Sequence, residues 1–106
     1  MPRLSRADAE RLTKLRTTKL IIGHFKESKR ILQNLAPTDI SSDEWKAILT
    51  INEKLLGLCT HSEVLSTKET SVKFVEFIRC TAIRDAKGAA EIASGLITNL
   101  TKMLED

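Results

Sequence analysis

At 106 residues, 42% hydrophobic and 29% charged, the chain has material for one hydrophobic core and not for two, while four glycines and two prolines leave little for the turns of a strand-rich sandwich and favour helices. No apolar run approaches the roughly 20 residues of a membrane-spanning helix, and the opening MPRLSRADAE lacks the apolar core of a secretory signal. The net charge of +3 hides a split: residues 1–30 hold nine Lys/Arg and three Asp/Glu, hence +6, which leaves −3 on the rest, a block that reads as a solvated helix face or as a contact for an anionic partner.

Ser5-Arg-Ala-Asp8 has the form of a helix start, with a hydroxyl for the first free amides and an acid in the first turn. Leu12, Leu15, Ile22, Phe25, Leu32 and Leu35 then recur at helical spacing along the longest element. Gly23 inside it predicts a bend or a close helix approach. Ala36-Pro37 ends it, because proline pushes the preceding residue out of the helical region. Residues 1–9 are expected to be a flexible segment before a single bundle domain spanning 10–104.

Ser41-Ser-Asp-Glu44 suits a capping box, and Trp45, Ile48, Leu49, Leu55 and Leu56 carry the second helix, with Asn52 interrupting the stripe and Gly57 supplying a stop. Ser62 to Leu65 reads as a single helical turn or an irregular link. Ser66-Thr-Lys-Glu69 starts the next helix, whose Val72, Phe74, Val75, Phe77 and Ile78 cover more than one face and predict at least three surrounding neighbours. Asp85 can cap a last helix striped by Ala86, Ala89, Ala90, Ala93, Leu96, Ile97, Leu100, Met103 and Leu104. Its alanines come first, so that end can approach its neighbours closely.

The expected fold is therefore all-α: a compact, right-handed bundle of four to five helices with antiparallel neighbours, and one short helical turn between the second long helix and the next. Short connections alternate the helix directions, which brings the loop from Leu35 to Ser41 and the loop from Cys80 to Asp85 to the same end. Each carries an isoleucine beside a charge, Ile40 next to Asp39 and Ile83 next to Arg84, as a small docking site would.

Catalytic material is thin. His24 and His61 are the only histidines, Cys59-x-His61 lacks the paired ligands of a zinc site, and Cys59 lies in a leucine-rich surround with no activating partner. No phosphate-cradling glycine loop or hydrolase motif appears. The expectation is no enzyme, no metal and no cofactor, with both cysteines reduced inside a cell. Trp45, Phe74 and Phe77 read as core, and Lys73, Glu76 and Arg79 as the solvent side of their helix.

The run LLGLCTHSEVLSTKETSVKFVEFIR resembles the middle of the integrase-binding domain of lens-epithelium-derived growth factor and its hepatoma-derived-growth-factor relatives. RLTKL at Arg11 to Leu15 is similar to that family's opening helix, and AAEIASGLITNLTKML to its closing one. The resemblance covers residues 10–104 and is strongest from Leu55 to Arg79. It implies a bundle related to the N-terminal domain of the elongation factor TFIIS, acting as a non-catalytic chromatin and transcription adaptor in the nucleus. It also implies partners that are short, disordered, acidic segments of nuclear proteins, often with Phe-x-Gly-Phe, and a site made by the two interhelical loops.

Carried over residue by residue, that site falls on Ile40 and Ser41 in the first loop, with Asp39 the nearest acid and a one-residue adjustment letting Asp39 or Asp43 serve, and on Arg79, Thr81, Ile83 and Arg84 around the second. The family's aromatic is replaced by Thr81, its Lys-Lys by Glu76-Phe77 and its second arginine by Cys80; these departures tell against lentiviral integrase as a partner and imply an altered preference. The implied ligand fills the gap between the loops with a phenylalanine, gives backbone hydrogen bonds to Asp39 and brings acidic flanks to Arg79 or Arg84. The alternative expectation is a nucleic-acid-binding domain that uses the basic first helix.

Overall fold

A computed structural model describes residues 5–35, 43–60 and 68–105. They form an all-α bundle of four helices, α1 (Arg6–Asn34), α2 (Asp43–Thr60), α3 (Lys68–Ala82) and α4 (Ala86–Glu105). Ser5 caps α1 by accepting the Asp8 amide at 3.1 Å, and Leu35 closes it with extended backbone, as expected before Ala36-Pro37. The short turn expected at residues 62–65 and the capping box at residue 41 lie outside the described residues.

The helices make a ring in which α1 packs on α2 and α4, and α3 packs on α2 and α4. α2 and α3 are antiparallel, since Trp45 at the start of α2 meets Arg84 after the end of α3. α3 and α4 are antiparallel too, because Glu69 at the start of α3 lies against Asn99 near the end of α4. Across the ring α1 and α3 touch only through side chains: the Phe25 ring stands edge-on to Phe74 and Phe77, with centroids 5.9 and 5.4 Å apart. Ala89, Ala93, Leu96 and Leu100 are fully buried and form the core face of α4, which packs on both α1 and α3.

Three sequence expectations change. α3 is not encircled: its buried face is Thr70, Phe74, Phe77 and Thr81, one stripe of the helix, and Val72 and Val75 stand in solvent. In α2 the core face is Trp45, Ile48, Ile51, Asn52 and Leu55, which puts Leu49 and Leu56 on an exposed flank, and the helix continues past Gly57 to Thr60. In α1 burial begins at Thr18; Leu12 is exposed, and the first turns reach beyond the core.

Gly23 is exposed, and a Cβ built there would meet nothing within 4 Å, so no close approach requires glycine. Gly23→Ala should therefore stabilise the chain by about 1 kcal/mol, the difference in helix propensity. A higher urea midpoint with unchanged slope is the expected readout; an unchanged midpoint would mean that α1 is not continuous there.

Candidate functional site

The corner between α3 and α4 is built without glycine. The Asp85 amide donates to the Cys80 carbonyl at 2.8 Å and the Arg84 amide to the Thr81 carbonyl at 3.2 Å, the paired bonds of a Schellman helix end, in which the residue before the last donor takes the left-handed conformation. That residue is Arg84, with φ of 63°. A side chain in this region costs about 1–2 kcal/mol relative to glycine. Asp85 then serves both helices: it closes α3, and its carboxylate accepts the Gly88 amide at 3.0 Å to cap α4. A Cβ at Gly88 would meet that carboxylate, so a larger residue there would have to move the Asp85 side chain.

The strained backbone aims the Arg84 side chain across the end of the bundle. Its guanidinium carbon lies 5.1 Å from the centroid of the Trp45 ring, within cation–π range. Trp45 is buried, so the cation rests on an apolar floor. Arg84 Nη1 is shielded from solvent and has no hydrogen-bond partner among the described residues. A buried guanidinium donor left unpaired is costly, and it invites an acceptor.

Around this donor the expected site residues separate. Ile83 is 67% exposed at the tip of the turn, and Arg79 is exposed one turn earlier on α3. Thr81 is corrected: it is 0% exposed, so its side chain is not on the surface. Its hydroxyl donates to the Ile78 carbonyl at 2.8 Å and accepts from Asn52 Nδ2 at 2.9 Å, so where the family has an aromatic this chain has a polar pin between α2 and α3. Asp39, Ile40 and Ser41 lie outside the described residues. Trp45, two positions into the described start of α2, shows that the entry to α2 and the α3–α4 corner share one end of the bundle.

Two residues escaped the sequence reading. Asn52 was an interruption of an apolar stripe; it is the buried partner of Thr81, and its Oδ1 has no hydrogen-bond partner among the described residues. The signal was available, because a polar side chain on a buried face must be hydrogen-bonded. Trp45 reads as core in preference to a ligand contact, and nothing in the sequence pairs it with Arg84.

The thiols are poor nucleophiles. Burial pushes Cys59 from the ordinary 9.0 up to about 11, and burial, then the Asp85 and Glu76 carboxylates, push Cys80 up against the opposing Arg79. Both are protonated at neutral pH and react slowly. Since folding raises the Cys59 pKa, its contribution to stability is complete below pH 9 and is lost as pH rises toward 11. The difference in urea midpoint between wild type and Cys59→Ala should therefore shrink across that window; a constant difference would contradict a desolvated thiol. His61 lies outside the described residues, and among the described residues no three His, Cys, Asp or Glu side chains are placed to hold a metal ion. No described helix is long and apolar enough to cross a membrane.

Comparison of the chain with protein-family models, with curated proteins and with solved structures gives no match.

Proposed function

We propose that this chain is a non-catalytic interaction module that captures a short, acidic, phenylalanine-containing segment of another protein at the end of the bundle formed by the α3–α4 corner and the start of α2. The observation that carries the reading is Arg84: a non-glycine residue in left-handed backbone, its guanidinium on Trp45 and its Nη1 without a partner among the described residues. Strain held at one residue is a reason to look for function there. A carboxylate from a ligand satisfies the donor through a charge-assisted hydrogen bond, and Ile83 offers an apolar surface to an aromatic side chain. Thr81 belongs to the support of this site and not to its surface. Arg79 supplies a second cation for acidic flanks.

The setting proposed with this function, a nuclear chromatin or transcription adaptor, follows from the resemblance of residues 10–104 to integrase-binding domains. Titration calorimetry with a peptide containing Asp/Glu-flanked Phe-x-Gly-Phe tests the reading. Ile83→Asp should weaken that binding at least tenfold with the fold intact, since the side chain is exposed and the substitution sets a like charge against the peptide. Wild-type affinity in the variant would remove Ile83 from the site.

A second reading rests on a different surface. Arg11, Lys14, Arg16 and Lys19 are all exposed, and among the described residues the ion pair at this end of α1 joins Arg6 to Glu10 at 3.4 Å, ahead of them. Such a stretch suits the phosphates of a nucleic acid. Duplex DNA binding whose logarithm falls with log salt by about 0.9 per phosphate neutralised, and which Arg11→Glu with Lys14→Glu abolishes, would favour this reading over the first.

A further inference from the structure

The outer ridge of α1 carries features that the fold itself does not use. Arg16, Lys19, Lys26 and Arg30 are all exposed. At 100° per residue they fall within about 80° of one another, on the side of α1 turned away from the buried Ile21, Phe25, Ser28 and Leu32. None of the four side chains makes an ion pair or a hydrogen bond with a described residue. Arg16 with Lys19, and Lys26 with Arg30, set like charges three and four residues apart, which works against a helix. Gly23 lies between the two pairs on the same ridge, exposed and with open space around it, and glycine there works against the helix too. The acids of α1 are Asp8 and Glu10 in its first turns and Glu27 at the edge of the ridge, and none of them is paired to these cations. Residues that break local rules without a return in the fold mark a functional surface.

We propose that this ridge, from Arg16 to Arg30, is a docking surface for the phosphate backbones of double-stranded DNA. The proposal rests on the second reading above for the class of ligand and moves the contact from the first turns of α1, where Arg11 and Lys14 lie off the ridge, onto the body of the bundle. The ridge is about 21 Å long at 1.5 Å per residue, and its two cation pairs are centred about 16 Å apart. Together they reach phosphates on both sides of a major groove about 12 Å wide, and the missing side chain at Gly23 leaves the middle of the ridge flat. Other polyanions fit less well. Phe25, Trp45, Phe74 and Phe77 are the only aromatic residues and all are buried, so the bases of a single strand have nothing to stack on. The apolar face of α1 is inside the bundle, and the exposed Leu12 and Leu20 stand two turns apart. They give a bilayer no continuous apolar face to take up and an acidic protein no apolar centre to bury.

The test uses the 106-residue chain and fluorescence anisotropy of a labelled DNA duplex across a salt series. Four neutralised phosphates at about 0.9 each predict that a fourfold rise in salt weakens wild-type binding roughly 150-fold. Lys26→Gln with Arg30→Gln, both at exposed positions, should weaken low-salt binding at least tenfold and reduce that salt effect to about 12-fold, the value for two phosphates. The urea midpoint of this variant should not fall, since the substitutions remove a like-charge pair. The wild-type affinity and salt dependence in the double variant would overturn the ridge. Arg11→Glu with Lys14→Glu scores the first-turn contact separately: binding lost there and kept in the Lys26/Arg30 variant would leave nucleic-acid binding standing and remove the ridge, while no duplex binding by wild type at low salt would remove both. Tighter binding of the matching single strand than of the duplex would overturn the choice of ligand, as would binding to phosphatidylserine vesicles, lost in Leu12→Gln with Leu20→Gln, by a chain that does not bind the duplex.

Discussion

Phe25→Ala should cost about 3–5 kcal/mol and so remove a large part of the roughly 5–15 kcal/mol that holds a domain of this size folded. Phe25 is fully buried, and its ring alone spans the core to both Phe74 and Phe77 in edge-on contacts. Each such pair adds about 0.5–1.5 kcal/mol beyond the area it buries. Neighbouring helices of the ring can shift to fill part of a void. The diagonal contact between α1 and α3 has no backbone neighbours to close it, so the cavity should persist. Leu12→Ala, at an exposed position of the same helix, is the control and should change stability by less than about 0.5 kcal/mol. Urea denaturation of the two variants separates the outcomes: equal, small losses would mean that the core does not lie between α1 and α3.

The second large effect falls on binding. Arg84→Gly places in the Schellman corner the residue that such corners favour. It releases about 1–2 kcal/mol of left-handed strain, removes a buried donor that has no hydrogen-bond partner among the described residues, and gives up a cation–π contact of about 0.5–2 kcal/mol. The first two terms offset the third, so the variant should be at least as stable as wild type. Binding of the acidic peptide should fall at least tenfold, because a charge-assisted hydrogen bond is worth about 1.5–3 kcal/mol. A variant as stable as the parent but unable to bind would explain why arginine occupies a glycine position. Undiminished binding would make Arg84 a structural residue whose partner is Trp45 alone.

Much of the fold was legible because helix signals are local. Ser5 and Asp85 were readable as caps from residue type and position, and both accept the amide three residues on. The alanine and leucine positions of α4 were readable as its buried stripe, and Ala89, Ala93, Leu96 and Leu100 are all fully buried. What the pattern could not resolve was the width and centre of each buried stripe. Leu49 and Leu56 keep helical spacing with Ile48 and Leu55 and differ from them only by one step of 100°, enough to move a leucine from the core to the exposed flank. Val72 and Val75 were assigned to the interior for the same reason. In α1 the stripe could be followed but not its start, because nothing in the spacing says where neighbouring helices end.

The candidate site was legible as a place more than as a chemistry. Alternating helix directions brought the entry to α2 and the α3–α4 turn together, and Trp45 with Arg84 mark that end. The absence of glycine from Cys80 to Asp85 was the overlooked signal: a tight helix corner needs a left-handed residue, and without glycine some side chain must bear the strain. Thr81 was placed by analogy with an aromatic position. Its role depends on Asn52, 29 residues away in sequence, a pairing that no local pattern encodes.

Trp45 is the only tryptophan, so its indole N–H gives a single reporter beneath Arg84. The most direct test of the proposed site is an NMR titration of the chain with the acidic Phe-x-Gly-Phe peptide, following that resonance together with the backbone amides. Saturable shifts of the Trp45 indole and of the amides of residues 79–85, with those of residues 6–19 unmoved, are the predicted result. No shift at Trp45 and Arg84, or shifts confined to the basic first turns of α1, would contradict it.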